Sequence, residues 1–215
     1  MSQQLEHNNI THTRKILALA AHPDDLEIGC GGTLAEHVGR GDEVHIFIAT
    51  FGDVGGNAEA RKTEQEVAAK ILGVKKVHWG AFPDTKLPQF TQNLMDALEC
   101  IIAEVKPDTV YVNYAEDTHQ DHRTLAHVAR SVTRYVPNVL YYETPSSMNF
   151  EPSIFMDIHD VLAHKIHALE AHASQVEATH VTLNILEIAL ATARFRGVQG
   201  KLSCAEGFVP VRMRL

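Results

Sequence analysis

Two short stretches carry residues whose types and spacing could do chemistry. One is Ala21-His22-Pro23-Asp24-Asp25-Leu26-Glu27 and the other is His119-Gln120-Asp121-His122-Arg123. A hydrolytic zinc site needs three protein ligands and one position left open for water. His22, Asp25 and one of His119 and His122 supply that set, two imidazoles and one carboxylate. It leaves the metal positive enough to lower the pKa of a bound water toward neutrality. Ferrous iron accepts the same donors as zinc. Asp24 is then left over beside a ligand, and a carboxylate beside the reacting water is the natural general base. His119 and His122 lie about one helical turn apart, so one can bind metal while the other stabilises an oxyanion or protonates a leaving amine. Asp121, between them, could hold an imidazole in the needed tautomer.

The elements around these stretches decide whether they meet. Residues 15–20 (Lys-Ile-Leu-Ala-Leu-Ala) form an apolar run of strand length directly before His22. The pattern predicts further strands over 43–50, 75–79, 109–113 and 139–142. Helices are expected over 32–39, 58–72, 92–105 and 121–134. Strand and helix thus alternate, which predicts a single α/β domain, Rossmann-like and doubly wound, with a mostly parallel sheet. Right-handed crossovers bring the loops after the first and fourth strands to one rim, where such sheets bind ligands. The last third is less regular, with strands expected over 154–158 and 207–211 and helices over 161–172 and 183–195.

Composition narrows the classes. A chain of 215 residues, 45% hydrophobic, has enough apolar material for one stable domain. Residues 1–13 are polar and are expected to be a flexible lead-in to a domain over 14–215. The formal net charge of -8 argues against nucleic acid or an anionic membrane as the main partner. The 3 Cys show no paired spacing, so a cytoplasmic location is expected rather than a disulfide framework.

The paired motifs resemble those of the PIG-L/LmbE-like N-acetylglucosaminyl deacetylases, zinc-dependent enzymes with a Rossmann-like fold. The family's first motif, Ala/Pro-His-Pro-Asp-Asp-Glu, stands here as Ala21 to Asp25 with Leu26 inserted before Glu27, and His119 to His122 match its His-x-Asp-His. Supporting stretches include Gly52 to Gly56, Arg61-Lys62-Thr63-Glu64, Phe82-Pro83-Asp84 and Ala173-Ser174-Gln175. Carried over residue by residue, the resemblance implies His22, Asp25 and His122 as zinc ligands and Asp24 as general base. It implies His119 as general acid or oxyanion stabiliser, Asp121 as its orienting partner and Arg61 as a substrate-binding residue. It further implies removal of an acetyl group from an N-acetylated sugar, and a homo-oligomer, trimer or hexamer. Asp24 and His119 would need opposite protonation states, which predicts a bell-shaped pH profile. Where some members carry a Tyr two residues before the first His, this chain has Asp117, expected to make the substrate rim more acidic.

Three other readings compete. The same site could serve an amidase acting on a thiol conjugate or another N-acylated metabolite. Gly29-Cys30-Gly31-Gly32, after a strand and before a helix, could cradle a nucleotide phosphate, although the spacing is not Gly-x-Gly-x-x-Gly and acidic residues flank it. A purely structural metal site would leave Asp24 and His119 without a task. The histidines at 159, 164, 167 and 172 recur near helical spacing and are expected on a solvated or interface face, with a place near the site as the alternative for His172, close to Ser174-Gln175.

Overall fold

The computed structural model describes residues 13–177 and 184–214. In chain order the elements are β1 (Lys15–Ala20), α1 (Asp25–Gly29), α2 (Gly31–Gly39), β2 (Glu43–Thr50), α3 (Ala58–Ile71), β3 (Lys76–Phe82), α4 (Thr91–Val105), β4 (Thr109–Asn113) and α5 (Gln120–Val132). Then come β5 (Asn138–Tyr142), β6 (Ile154–Asp157), α6 (Leu162–Glu170), α7 (Ala173–Glu177), α8 (Ile185–Gly200) and β7 (Ala205–Arg212). The polar lead-in lies outside the described residues, apart from Thr13, as does the expected start of the last helix at Leu183.

The 7-stranded sheet runs β3-β2-β1-β4-β5-β7-β6. Strands β1 to β5 pair in parallel, and β7 runs antiparallel between β5 and β6. The mostly parallel α/β fold expected from the alternation is therefore the one observed. The parallel strands are apolar on both faces because both are covered, as in β1, where Ile16 to Ala20 are all buried. One face packs Leu17, Leu19 and Phe47 against Leu94, Leu98 and Leu125 of α4 and α5. The other packs Ile16, Ala18 and Ile46 against Leu26 and Leu34 of α1 and α2. Strand β1 has β2 on one side and β4 on the other, so the order in which strands are added reverses there. The loops after β1 and β4 leave the sheet side by side, at its topological switch point.

Local chemistry departs from expectation in three places. A short helix, α1, begins at Asp25, so the first motif is half loop and half helix. Strand β3 continues to Phe82 through a register shift, with Ala81 at φ 53, a turn signal its sequence does not advertise. Strand β7 starts at Ala205, and α8 runs on to Gly200.

The glycines at the end of α1 and the start of α2 serve packing. A Cβ on Gly29 would run into the Tyr142 ring, and one on Gly32 would sit 2.8 Å from Ile158 Cγ2. The α2 N-terminus already holds an anion, because the Gly32 and Thr33 N–H groups donate to the Glu206 carboxylate at 2.9 and 2.7 Å. Lys165 Nζ completes the cluster, donating to Glu206 at 2.5 Å and to the Ile28 carbonyl at 2.6 Å. That arrangement excludes the nucleotide reading, since a phosphate would have to displace a buried carboxylate. Removing one partner of a buried pair strands the other, so Lys165→Met is expected to cost about 3 kcal/mol. Urea unfolding reads this directly, and an unchanged midpoint would show that the pair contributes nothing.

Among the described residues, no helix is long and apolar enough to cross a membrane.

Candidate metal centre and active site

The two motifs meet at the rim. β1 delivers His22 and α1 presents Asp25, while β4 and the loop after it deliver α5 with His122 in its first turn. His22 Nδ1 lies 3.2 Å from His122 Nε2. Asp25 Oδ2 lies 3.6 Å from that His22 nitrogen and 3.2 Å from the His122 one. A tetrahedral ion with bonds of about 2.0–2.1 Å holds its ligands about 3.3–3.4 Å apart, so the triangle has a coordination shell's edge lengths. Asp25 is held in place, accepting the His22 N–H at 3.0 Å and Asn113 Nδ2 at 3.3 Å.

The outer nitrogen of each imidazole faces carboxylates. His122 Nδ1 lies 3.1 Å from Asp117 Oδ2, and Asp117 also accepts the His119 N–H at 2.7 Å, Thr144 Oγ1 at 2.9 Å and Ser147 Oγ at 3.1 Å. His22 Nε2 lies 3.1 Å from Asp84 Oδ1 and 3.4 Å from Asp121 Oδ2. Carboxylates there keep the ring protons on the outer nitrogens, which turns two lone pairs and one carboxylate oxygen inward on the same point. Three acceptors converging without a donor suit a cation. Without an ion the same carboxylates draw protons onto both rings, so a metal would compete with protons for the inward nitrogens. Burial opposes charge on His22, but Asp121, Asp25 and Asp84 raise its pKa well above the ordinary value. Burial likewise opposes charge on His122, but Asp25 and Asp117 raise it to about 9. Burial pushes the Asp25 pKa up, yet His122 and His22 hold it well below the usual carboxylate range.

Two other groupings, His22 with His119 and His122, and His22 with Asp84 and Asp121, also bring donor atoms within 4.8 Å. The second uses the carboxylates that hold the His22 proton. In the first, His119 Nδ1 already accepts the Asp121 N–H at 3.2 Å. Loss of an outer-shell partner lowers metal affinity by about 10–100-fold, and Asp117→Asn is expected to fall in that range. Competition against a chromogenic chelator measures it, and unchanged affinity would detach Asp117 from the site.

Asp24 stands beside the triangle in a left-handed backbone conformation, φ 80, which costs a non-glycine residue free energy and needs outside support. Its N–H donates to Gln65 Oε1 at 3.1 Å, and Gln65 Nε2 donates to the buried Glu27 at 2.7 Å. Arg61 Nη2 donates to Asp24 Oδ2 at 3.2 Å and to the Pro23 carbonyl at 2.9 Å, while Nη1 donates to the Gly52 carbonyl at 2.8 Å. The expected substrate-binding Arg61 is thus buried and turned on Asp24 and its loop. Burial lifts the Asp24 pKa to about 6, against the pull of Arg61 and His172. His172 is not on a solvated face but fully buried 3.5 Å from Glu27, near the site as its alternative reading had it.

His119 caps α5, its ring edge-on to His22 and stacked on His122 at centroid distances of 4.5 and 4.8 Å. With Nδ1 accepting, the neutral ring carries its proton on Nε2. Burial lowers its pKa, as do His22 and His122. The Asp121 carboxylate does not face His119 as expected. It accepts the Thr85 and Leu87 N–H groups at 2.8 and 3.2 Å and faces His22, and only its backbone N–H touches His119. Asp117 also differs from expectation, being fully buried on His122 rather than on an acidic rim.

Residues 17–133 match the family model PIG-L, described as GlcNAc-PI de-N-acetylase, a stretch that contains both motifs. The chain belongs to the PIG-L family. It is 34% identical over 167 residues, 74% of this chain and 90% of the relative, to the uncharacterized deacetylase YaiS of Escherichia coli. It is 30% identical over 188 residues, 75% of this chain and 70% of the relative, to the diacetylchitobiose deacetylase of Thermococcus kodakarensis. The solved N,N'-diacetylchitobiose deacetylase of Pyrococcus horikoshii superposes with a TM-score of 0.79 at 26% identity, covering 95% of this chain and 86% of that one. The relatives are not uniform in chemistry, since one from Pseudomonas putida, 25% identical over 91% of this chain and 84% of its own, is named 4-oxalmesaconate hydratase.

Within this PIG-L chain the site opens into a cavity of about 330 Å³. Its walls include Val54, Gly55, Thr85 and Gln175 around Asp24 and His119. Asp84, Asn113 and Gln65 were not singled out by spacing. Asp84 follows the third parallel strand, so the rim rule that found the two motifs extends to it. Gln65, one turn beyond Arg61 on α3, has no such signal.

Proposed function

We propose that the protein is a metal-dependent deacetylase that removes the acetyl group from a small N-acetylated amino sugar. The observation that carries this is the triangle of His22 Nδ1, His122 Nε2 and Asp25 Oδ2 with the carboxylate of Asp24 beside it. His22, Asp25 and His122 would hold the ion, zinc or ferrous iron. When bound, it supplies Lewis acidity that activates water and polarises an amide carbonyl. Asp24 accepts the proton of the attacking water. It can then pass that proton to the nitrogen as the C–N bond breaks, giving acetate and the free amine. Arg61 and Gln65 fix Asp24 for both transfers. Nε2–H of His119 donates to the carbonyl oxygen as charge develops there. Asp121 and Asp117 act through His22 and His122 as positioning residues.

The lowered pKa of His119 changes the expected pH profile. A neutral donor loses nothing as pH rises through neutrality, so no basic limb arises from it. Asp24 works as a base only when ionised, and a nearby cation pulls its pKa below the free value. Log kcat/KM is expected to fall on the acid side with a midpoint at or below about pH 6, and to stay level from there to about pH 8. A bell centred near neutrality would restore His119 as a charged acid.

A second reading, an amidase of another N-acylated metabolite such as a thiol conjugate, keeps the same residues. It is favoured by the cavity walls, where no Phe, Tyr or Trp stands among the described residues to stack on a sugar ring. Acetate release from N-acetylglucosamine and its conjugates, set against a panel of acetylated amines, separates the two. Metal binding without release from any amide would move the search toward non-hydrolytic chemistry. We further propose a cytoplasmic homo-oligomer, trimer or hexamer. It is supported by three free cysteines and by Phe195 and Val198 of α8, exposed at 57% and 69%. Sedimentation velocity giving a monomer would remove the oligomer.

A further inference from the structure

A second and larger cavity, about 880 Å³, lies at the opposite ends of the strands, where β4 and β5 begin. That volume is within the range of small-molecule sites. Its floor is the apolar sheet face formed by Tyr111, Leu140 and Phe208, and Ile154 and Met156 of β6 form a wall. Arg14, Arg40 and Arg214 stand around it, and Asp108 is the acid in its lining.

The acidic groups nearby, Asp108, Asp42 and Glu36, keep their charge but are turned to other donors than the Arg14 and Arg214 guanidinium groups. Asp108 accepts the Lys15 N–H at 2.8 Å. Asp42 accepts from His37 Nδ1 at 2.7 Å and from the Arg14 N–H at 3.1 Å. Arg40 pairs with Glu36 at 3.2 Å. The guanidinium groups of Arg14 and Arg214 have no ion-pair partner among the described residues, and both side chains are exposed. Apolar floor and cationic rim together match one ligand chemistry.

We propose that this cavity is a second ligand site, for a soluble small molecule with an apolar body and an anionic head. The body lies on Tyr111, Leu140 and Phe208, and the head, a carboxylate or phosphate, is taken by Arg14 and Arg214, whose planar forks match such oxyanions. The two cavities share no residue. The site therefore stands or falls independently of the deacetylase reading.

The probe is 8-anilinonaphthalene-1-sulfonate, an aromatic body with one sulfonate, followed by fluorescence with the full chain. The expected result is saturation at about one probe per chain, as for one discrete site. Octanoate displaces the probe and octanol at equal concentration does not. Arg14→Gln with Arg214→Gln weakens it about tenfold or more, as loss of charge-assisted bonds implies, while metal binding stays unchanged. Affinity insensitive to the double substitution, or equal displacement by octanol, overturns the proposal. So does roughly tenfold tighter probe binding after removal of residues 1–12, which would make that segment the occupant. A double variant that loses its oligomeric state would make the face an interface between copies, and also overturns it.

Discussion

Asp24→Asn is expected to lower kcat by about a thousandfold, within the range that general acid–base groups contribute. The fold and the metal site should both survive. Asn is nearly the same size and can still accept from Arg61. Arg61 also keeps its bonds to the Pro23 and Gly52 carbonyls. Burial disfavours the ionised carboxylate, which is why its pKa sits near 6, so a neutral amide costs the folded state little. The thermal midpoint should therefore move little, and metal content should match the wild type. Residual activity within about threefold of wild type would remove Asp24 from the proton path, since even the weakest general bases contribute more.

His122→Ala is expected to have a different signature, with metal content and activity lost together. It deletes one of three inward donors and strands two carboxylates, Asp25 and Asp117, that lie 3.2 and 3.1 Å from its ring. The loss of affinity should exceed the roughly 100-fold that removal of an outer partner costs. Elemental analysis after dialysis against a non-chelating buffer reads occupancy directly. Wild-type occupancy in His122→Ala would favour the grouping without His122, that of His22, Asp84 and Asp121. Asp24→Asn and His122→Ala thus separate proton handling from metal holding.

Much of this was legible in the chain. The strands Lys15–Ala20, Glu43–Thr50 and Thr109–Asn113 have the bounds read from the chain, because buried parallel strands show as short, mostly apolar runs. Strand alternation with right-handed crossovers then placed His22 and His122 at one rim, and the site follows from topology more than from any single motif. What spacing could not show was which way side chains turn. Arg61 lies at the rim but spends its donors on Asp24 and two carbonyls. Asp121 sits between two histidines of its own helix yet faces a third, from β1. His119 caps a helix through Nδ1, and only that contact reveals its tautomer. For Arg61 and Asp121 the choice is set by hydrogen bonds across more than thirty residues of chain, as between Thr85 and Asp121, 36 apart, whereas the His119 cap is a local contact with Asp121. The kink at Asp24 is equally silent in sequence, because an aspartate in a left-handed turn is held there by Gln65, not by its own propensity.

The most direct test is a metal titration of activity. Metal-free protein is given increasing zinc, or ferrous iron under anaerobic conditions, and acetate release from an N-acetylglucosamine conjugate is followed. If His22, Asp25 and His122 hold one ion that the reaction needs, activity rises linearly from zero and breaks at about one equivalent per chain. Full activity in rigorously metal-free protein, or a rise with no break near one equivalent, would contradict it.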